Sequence, residues 1–349
     1  MINWKRPASG ADIYVDLGSA NTLIVTKAKG LVVNEPSVIA YEERGDGRRK
    51  VVAVGTQAKE KIGRAPQNLV ACHPIREGVI ADLSVTQTML QHFLSRPEVR
   101  SRFGRPTVVI SLPYGVSEIE KKAVREAGML AGAKAVILME EPIAAALGAD
   151  LPIQTPRASM ILDIGGGTTE VALISLYGIG HCESIRVGGH TFDAAIINYL
   201  KRNHNLIVGE PTAEKLKLQI GTALPAENER TAEVRGLDFV TGLPRALKVT
   251  SGEVGLAMKD SLQLIIDALH RTLENTPPEL MSDLIDQGMV VAGGGALIQD
   301  LDKRLEREIK IPVRIALNPL EALARGGAKV LQDRDLLSRV LLERTSIIA

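Results

Sequence analysis

Asp16-Leu-Gly-Ser-Ala-Asn-Thr22 and Asp163-Ile-Gly-Gly-Gly-Thr-Thr169 repeat one pattern, Asp-x-Gly-x-x-x-Thr, 147 residues apart (163 − 16) in a chain of 349. Apolar runs flank each copy. Ile13-Tyr-Val-Asp16 and Leu23-Ile-Val-Thr26 enclose the first, and Ser159-Met-Ile-Leu-Asp163 and Glu170-Val-Ala-Leu-Ile174 enclose the second. Each reads as strand, tight turn, strand. One such hairpin per half predicts an α/β protein of two duplicated lobes around a cleft, each a mixed sheet flanked by helices.

The residue types suit phosphate binding. Glycines at Gly18, Gly165, Gly166 and Gly167 let backbone N–H groups approach phosphate oxygens with no Cβ in the way. The hydroxyls of Ser19, Thr22 and Thr168 add donors, and Ala20 and Asn21 complete the first turn. Asp16 and Asp163, at the strand ends, place carboxylates where a hard cation such as Mg²⁺ is held, often through water. One Gly-rich turn alone is more readily a plain hairpin tip; two matched copies favour a clamp. Gly293-Gly-Gly-Ala-Leu297 follows the apolar run Met289-Val-Val-Ala292 and adds a strand-to-helix turn with free N–H groups. Neither a P-loop nor a Gly-x-Gly-x-x-Gly fingerprint occurs.

Periodicity predicts β signals over 32–40 and 50–54 and helices over 84–96 and from Ser117 towards Leu130. Strands are expected at 107–112 and 136–139, then an Ala-rich helix after Glu140-Glu-Pro142. In the second half, helices are expected over 191–203, 212–221, 253–275 and 296–309, and from about Gly327. A charge of +1 provides no field for nucleic acid, and 3% aromatics argue against a base-stacking or carbohydrate platform. Cys72 and Cys182 have no metal or redox spacing, which fits a reducing cytoplasm. No apolar run reaches membrane-spanning length, and Met1 to Arg6 is too short for a signal peptide.

The set Asp16–Thr22, Glu140-Glu-Pro-Ile-Ala-Ala-Ala146, Asp163–Thr169 and Gly293-Gly-Gly-Ala296 resembles the phosphate-1, connect-1, phosphate-2 and adenosine motifs of the actin, heat-shock-chaperone and sugar-kinase ATPases. Asn34-Glu-Pro-Ser-Val38, Gly78-Val-Ile-Ala-Asp82, Glu183-Ser-Ile-Arg186, Thr276-Pro-Pro-Glu-Leu280 and Ala324-Arg-Gly-Gly327 narrow the resemblance to the bacterial actins of the MreB/Mbl family, from about residue 12 to about 331. The resemblance implies ATP with Mg²⁺ in the cleft and slow hydrolysis coupled to filament assembly. It implies lobe I over 1–145 and about 316–349, with a small subdomain near 32–70, and lobe II over 146–315, with one near 187–248. Glu141 matches the catalytic glutamate that orients the attacking water, assisted by Asp16 and Asp163. Thr212-Ala-Glu-Lys-Leu-Lys217 matches the adenine and ribose segment, with Glu214, Lys215, Leu216 and Lys217. Glu214 and Lys217, at i and i+3, share a helix face.

The resemblance further implies self-association into paired protofilaments on the inner face of the cytoplasmic membrane, with membrane proteins of wall elongation as partners. Met1, Ile2, Trp4 and Phe103 are the candidate lipid contacts, against the plainer reading of a tail and a basic loop. His190 stands where the family often carries an acid, a departure that bears on contacts between protofilaments. A plasmid-segregating or organelle-positioning actin is the nearest alternative function. A chaperone module would need a longer C-terminal region, and a small-molecule kinase a substrate-side base for which the sequence offers no candidate.

Overall fold

The protein is described here from a computed structural model covering residues 11–43, 49–66, 68–100, 104–225 and 228–342. The first half runs β1 (Ile13–Leu17), β2 (Asn21–Thr26), β3 (Gly30–Pro36), β4 (Ile39–Glu43), β5 (Arg49–Val54), α1 (Thr56–Lys59), β6 (Leu69–Cys72), β7 (Ile75–Arg76), β8 (Val79–Ile80), α2 (Leu83–Leu94), β9 (Thr107–Leu112), α3 (Glu118–Leu130), β10 (Ala135–Glu140) and α4 (Glu141–Gly148). The second runs β11 (Ser159–Ile164), β12 (Thr169–Ser175), β13 (Gly178–Ile185), α5 (Gly189–His204), β14 (Leu206–Ile207), α6 (Glu210–Ile220), β15 (Thr231–Asp238), β16 (Pro244–Thr250), α7 (Ser251–Glu274), α8 (Pro278–Gln287), β17 (Met289–Ala292), α9 (Leu301–Ile309), β18 (Val313–Ile315), α10 (Ala322–Gln332) and α11 (Arg334–Val340).

Two five-stranded sheets share one plan, β10-β9-β1-β2-β3 and β13-β12-β11-β17-β18. In each, the Asp-bearing strand lies between an antiparallel hairpin partner and a parallel strand. Both Asp-bearing strands are buried along their whole length, as expected for sheets covered on both faces. Small three-stranded sheets, β5-β4-β6 and β14-β15-β16, extend the two halves.

Several boundaries differ from expectation. The β run over 32–40 divides between two sheets because Pro36 ends β3 and the Ser37 N–H turns back to the Ala20 carbonyl at 2.8 Å. The helix expected over 296–309 breaks into a 3₁₀ turn, Gly294–Leu297, and α9, because Asp300 takes a left-handed φ of 58°. The last helical stretch starts at Ala322 rather than near Gly327. Strands β15 and β16 had no clear sequence signal, since among their residues only Val234, Asp238 and Val249 are buried.

Helices α4 and α10 tie the lobes together. A methyl on Gly148 would stand 1.7 Å from the Ala322 carbonyl oxygen, and one on Gly326 would stand 1.9 Å from that of Ala144. The helices therefore cross with backbones in direct contact, which only glycine permits. Around the crossing lies a core common to both sheets. It holds Tyr14, Val25 and Met139 from the first, Ile161 and Ala292 from the second, and Ile143 and Val330 from the helices.

Candidate functional site

The two hairpin tips face one another above this crossing. A methyl on Gly166 would lie 2.6 Å from Ala20 Cβ, and one on Gly167 would lie 2.5 Å from Ser19 Oγ. Each tip is braced from outside. Ser37 Oγ donates to the Gly18 carbonyl at 2.6 Å and pairs with Thr22 Oγ1 at 2.8 Å, while Asn21 Nδ2 donates to Asn34 Oδ1 at 2.8 Å. Gly165 N–H closes the second turn onto the Thr168 carbonyl at 2.9 Å, and Thr169 Oγ1 donates to the Val187 carbonyl at 2.7 Å. The backbone at Gly18, Ala20, Gly165 and Gly166 keeps partial exposure, as does Thr168, whereas Thr22 is wholly buried.

The glycine run forms the third wall. Gly293, at φ 77°, lies so close that a methyl there would meet Asp163 Oδ1 at 2.5 Å, and one on Gly295 would meet Ile164 Cγ2 at 2.2 Å. Gly294 and Leu297 are exposed, and Ala296 is buried.

Four carboxylates are buried together beneath the tips: Asp16, Glu141, Asp163 and Glu170. Asp16 stands beside Ser111 of β9, and Asp163 beside Ala292 of β17. Glu141 opens α4, and the charges of Glu170, Asp16 and Asp163 act on it. Burial first, then mutual repulsion, raises Asp16 to about 8 and Glu141 well above its usual range. Burial alone takes Asp163 to about 7. Burial also takes Glu170 to about 8, against a stabilising bond from the Tyr114 N–H. Asp163 Oδ1 and Glu170 Oε2 have no hydrogen-bond partner. With only oxygen donors and a buried Asp163 Oδ1 left without a partner, the cluster suits a hard divalent cation. Glu140, by contrast, is half-buried and feels Lys121.

Glu170 was not among the expected site residues. Its signal lies in the duplication: it takes the hairpin position that Leu23 takes in the first copy, so a charge replaces an apolar residue within a buried strand.

On α6, Glu214 and Lys217 diverge. Glu214 reaches Lys59 of α1 in the other lobe at 2.7 Å. Lys217 pairs with buried Asp193 of α5 at 2.8 Å and donates to the Gly189 carbonyl at 2.9 Å. Leu216 is buried in the second lobe's core and Lys215 is exposed. Lys59 and Asp193 are recognised only from the structure. Met1, Ile2, Trp4 and Phe103 lie outside the described residues.

Paired sheets of one plan, facing hairpins and helices crossing beneath them define a two-lobed fold of the actin type. The family model for MreB/Mbl protein matches residues 10–339, and the chain belongs to that family. It is 47% identical to the cell shape-determining protein MreB of Escherichia coli K12, over 96% of this chain and 97% of that one. Identity to the cell shape-determining protein Mbl of Bacillus subtilis 168 is 44%, over 94% and 98%. The crystal structure of MreB5 of Spiroplasma citri bound to AMPPNP superposes with a TM-score of 0.88 at 35% identity, covering 96% of this chain and 99% of that one. The MamK double helical filament shares the fold at a TM-score of 0.77 and 22% identity, covering 92% and 99%.

Proposed function

We propose that this protein is an actin-like ATPase whose filaments take part in determining cell shape, with ATP bound between the two hairpins. The observation that carries this reading is the pair of opposed glycine tips over four buried carboxylates. Relatives named for cell shape, and an MreB5 structure holding AMPPNP, support it.

The backbone N–H groups of the tips bind the phosphates, and the helix crossing holds the tips in opposition. Asp16 and Asp163 hold Mg²⁺, with the unpartnered Asp163 Oδ1 as the readiest donor. When bound, that ion supplies charge neutralisation for the leaving phosphates. Glu141 orients the attacking water, from its place at the start of α4 among the buried carboxylates. Glu170, fixed by the Tyr114 N–H, is a positioning residue that sets the charge felt by Glu141.

Filament formation is supported by exposed apolar groups on this chain. Phe239, Val240 and Leu243 crown the β15–β16 hairpin, and Leu297, Leu317 and Leu320 are exposed near the glycine run. Two distinct patches suit a head-to-tail contact, which propagates into a filament. No helix among the described residues is long and apolar enough to cross a membrane. Peripheral attachment through Met1, Ile2, Trp4 and Phe103, with avidity from the filament, is the localisation we infer, and wall-elongation membrane proteins are the inferred partners.

Sedimentation with ATP and Mg²⁺ tests the function: the protein pellets above a critical concentration. Failure to pellet at any salt or lipid condition overturns the filament reading. Deleting residues 1–6 and replacing Phe103 lowers liposome binding; unchanged binding removes those residues from the membrane contact.

A further inference from the structure

Outside the carboxylate cluster, a second set of donors meets where the lobes touch. His73 follows β6 in the first lobe, His190 is the second residue of α5, and Glu210 opens α6. One ligand atom from each lies within 4.8 Å of the others. The imidazole rings are 5.0 Å apart between centroids and tilted by 57°, and His73 Nε2 faces Glu210 Oε1 at 3.2 Å. Both ring nitrogens of His73 are shielded from solvent; Nε2 has the Glu210 contact, and Nδ1 has no hydrogen-bond partner. Two nitrogens and one carboxylate oxygen, partly buried and converging, form the donor set of a three-ligand zinc-class site with water in fourth place. Tetrahedral coordination at about 2.0–2.1 Å needs ligand atoms about 3.3 Å apart, which small side-chain rotations from the present spacing supply.

We infer that His73, His190 and Glu210 bind one borderline divalent ion of the Zn²⁺ class, and that this ion clasps the two lobes together. The placement gives the clasp its leverage. Glu210 and Glu214 sit one turn apart on α6, and both face the first lobe, Glu210 towards His73 and Glu214 towards Lys59. The backbone N–H of His190 donates to the Gly166 carbonyl at 2.9 Å, so the site is joined directly to the second hairpin. An ion here adds bonds from one lobe to the other without using any of the four cleft carboxylates. Soft or borderline metals are selected by the imidazoles, whereas Mg²⁺ prefers oxygen and keeps its water.

The test uses the full-length protein without nucleotide, titrated with Co²⁺ as a spectroscopic substitute and then displaced by Zn²⁺. One equivalent of Co²⁺ gives the intense visible bands of a tetrahedral site with nitrogen ligands; the all-oxygen cleft gives only the weak bands of octahedral Co²⁺. His73→Ala, His190→Ala and Glu210→Gln each weaken the affinity at least about tenfold, the scale on which even outer-shell partners act. Circular dichroism of each variant confirms folding, and His190→Asn repeats the test with a smaller change of shape. Hydrogen exchange with one equivalent of Zn²⁺ slows around both His73 and His190. Absence of the tetrahedral bands, or bands that survive both histidine substitutions, overturns the site. Bands that persist in His73→Ala alone, or protection confined to one lobe, overturn the clasp.

Discussion

Glu170 stands directly across the β11–β12 ladder from Asp163, in the place where Leu23 stands across from Asp16. The duplicated hairpins are thus alike in backbone and unlike in charge, and the second carries the extra carboxylate. Glu170→Gln keeps an acceptor for the Tyr114 N–H but removes the charge. It is expected to lower ATP turnover about tenfold, equivalent to about 1.4 kcal/mol, with nucleotide affinity little changed. Steady-state phosphate release alongside equilibrium binding of a fluorescent nucleotide checks this; an unaltered rate removes Glu170 from the positioning role.

Glu141→Ala should slow phosphate release by roughly 10²–10⁴-fold while ATP still binds, the usual loss for a general base. Single-turnover measurements separate this from slow product release. Unchanged turnover excludes Glu141 from the chemistry.

Stability without nucleotide or divalent ion should fall as pH rises. The buried carboxylates bind protons more tightly folded than unfolded, with Asp163 raised to about 7 and Asp16 and Glu170 to about 8. Between the unfolded value near 4 and those folded values, the native state holds the extra protons, so each rise in pH costs stability. Denaturant midpoints at pH 5.5 and 8 measure the slope, and saturating Mg²⁺ with a non-hydrolysable nucleotide should flatten it. A midpoint higher at pH 8 without ligand contradicts the buried cluster.

Gly326→Ala places a methyl against the Ala144 carbonyl, 1.9 Å away unless the helices part. Overpacking of this kind costs about 1–3 kcal/mol, and here it also disturbs the core that both sheets share. Thermal unfolding reports the first effect and weakened nucleotide binding the second. A parent-like melting temperature would show that α4 and α10 separate easily.

Val240→Asp adds a charge to the exposed tip of β15–β16 without touching the core. If that tip is a filament contact, the critical concentration rises at least about tenfold while ATP binding is retained. Pelleting at the parent concentration assigns the patch elsewhere.

Much of this architecture was legible in the sequence because the relevant signals are local. Asp, Gly and Thr spacing announced both hairpins, Ser117 marked the start of α3, and Pro142 marked the first turn of α4. The resemblance already singled out Glu141 from the pair Glu140–Glu141, and the structure buries it among the other carboxylates. The broken turn after Gly293 was not legible, since it depends on Asp300 adopting a left-handed φ.

The sequence by itself determined the repeated Asp-x-Gly-x-x-x-Thr hairpin and the duplicated lobes, because strand alternation and turn chemistry act between residues only a few positions apart. Tertiary structure alone decided which distant charges meet. It brought Glu170 to Glu141, Lys59 to Glu214, Asp193 to Lys217 and His73 to His190. Those pairings join segments separate in the chain, and burial strengthens those, such as Glu141 with Glu170, that it shields from water.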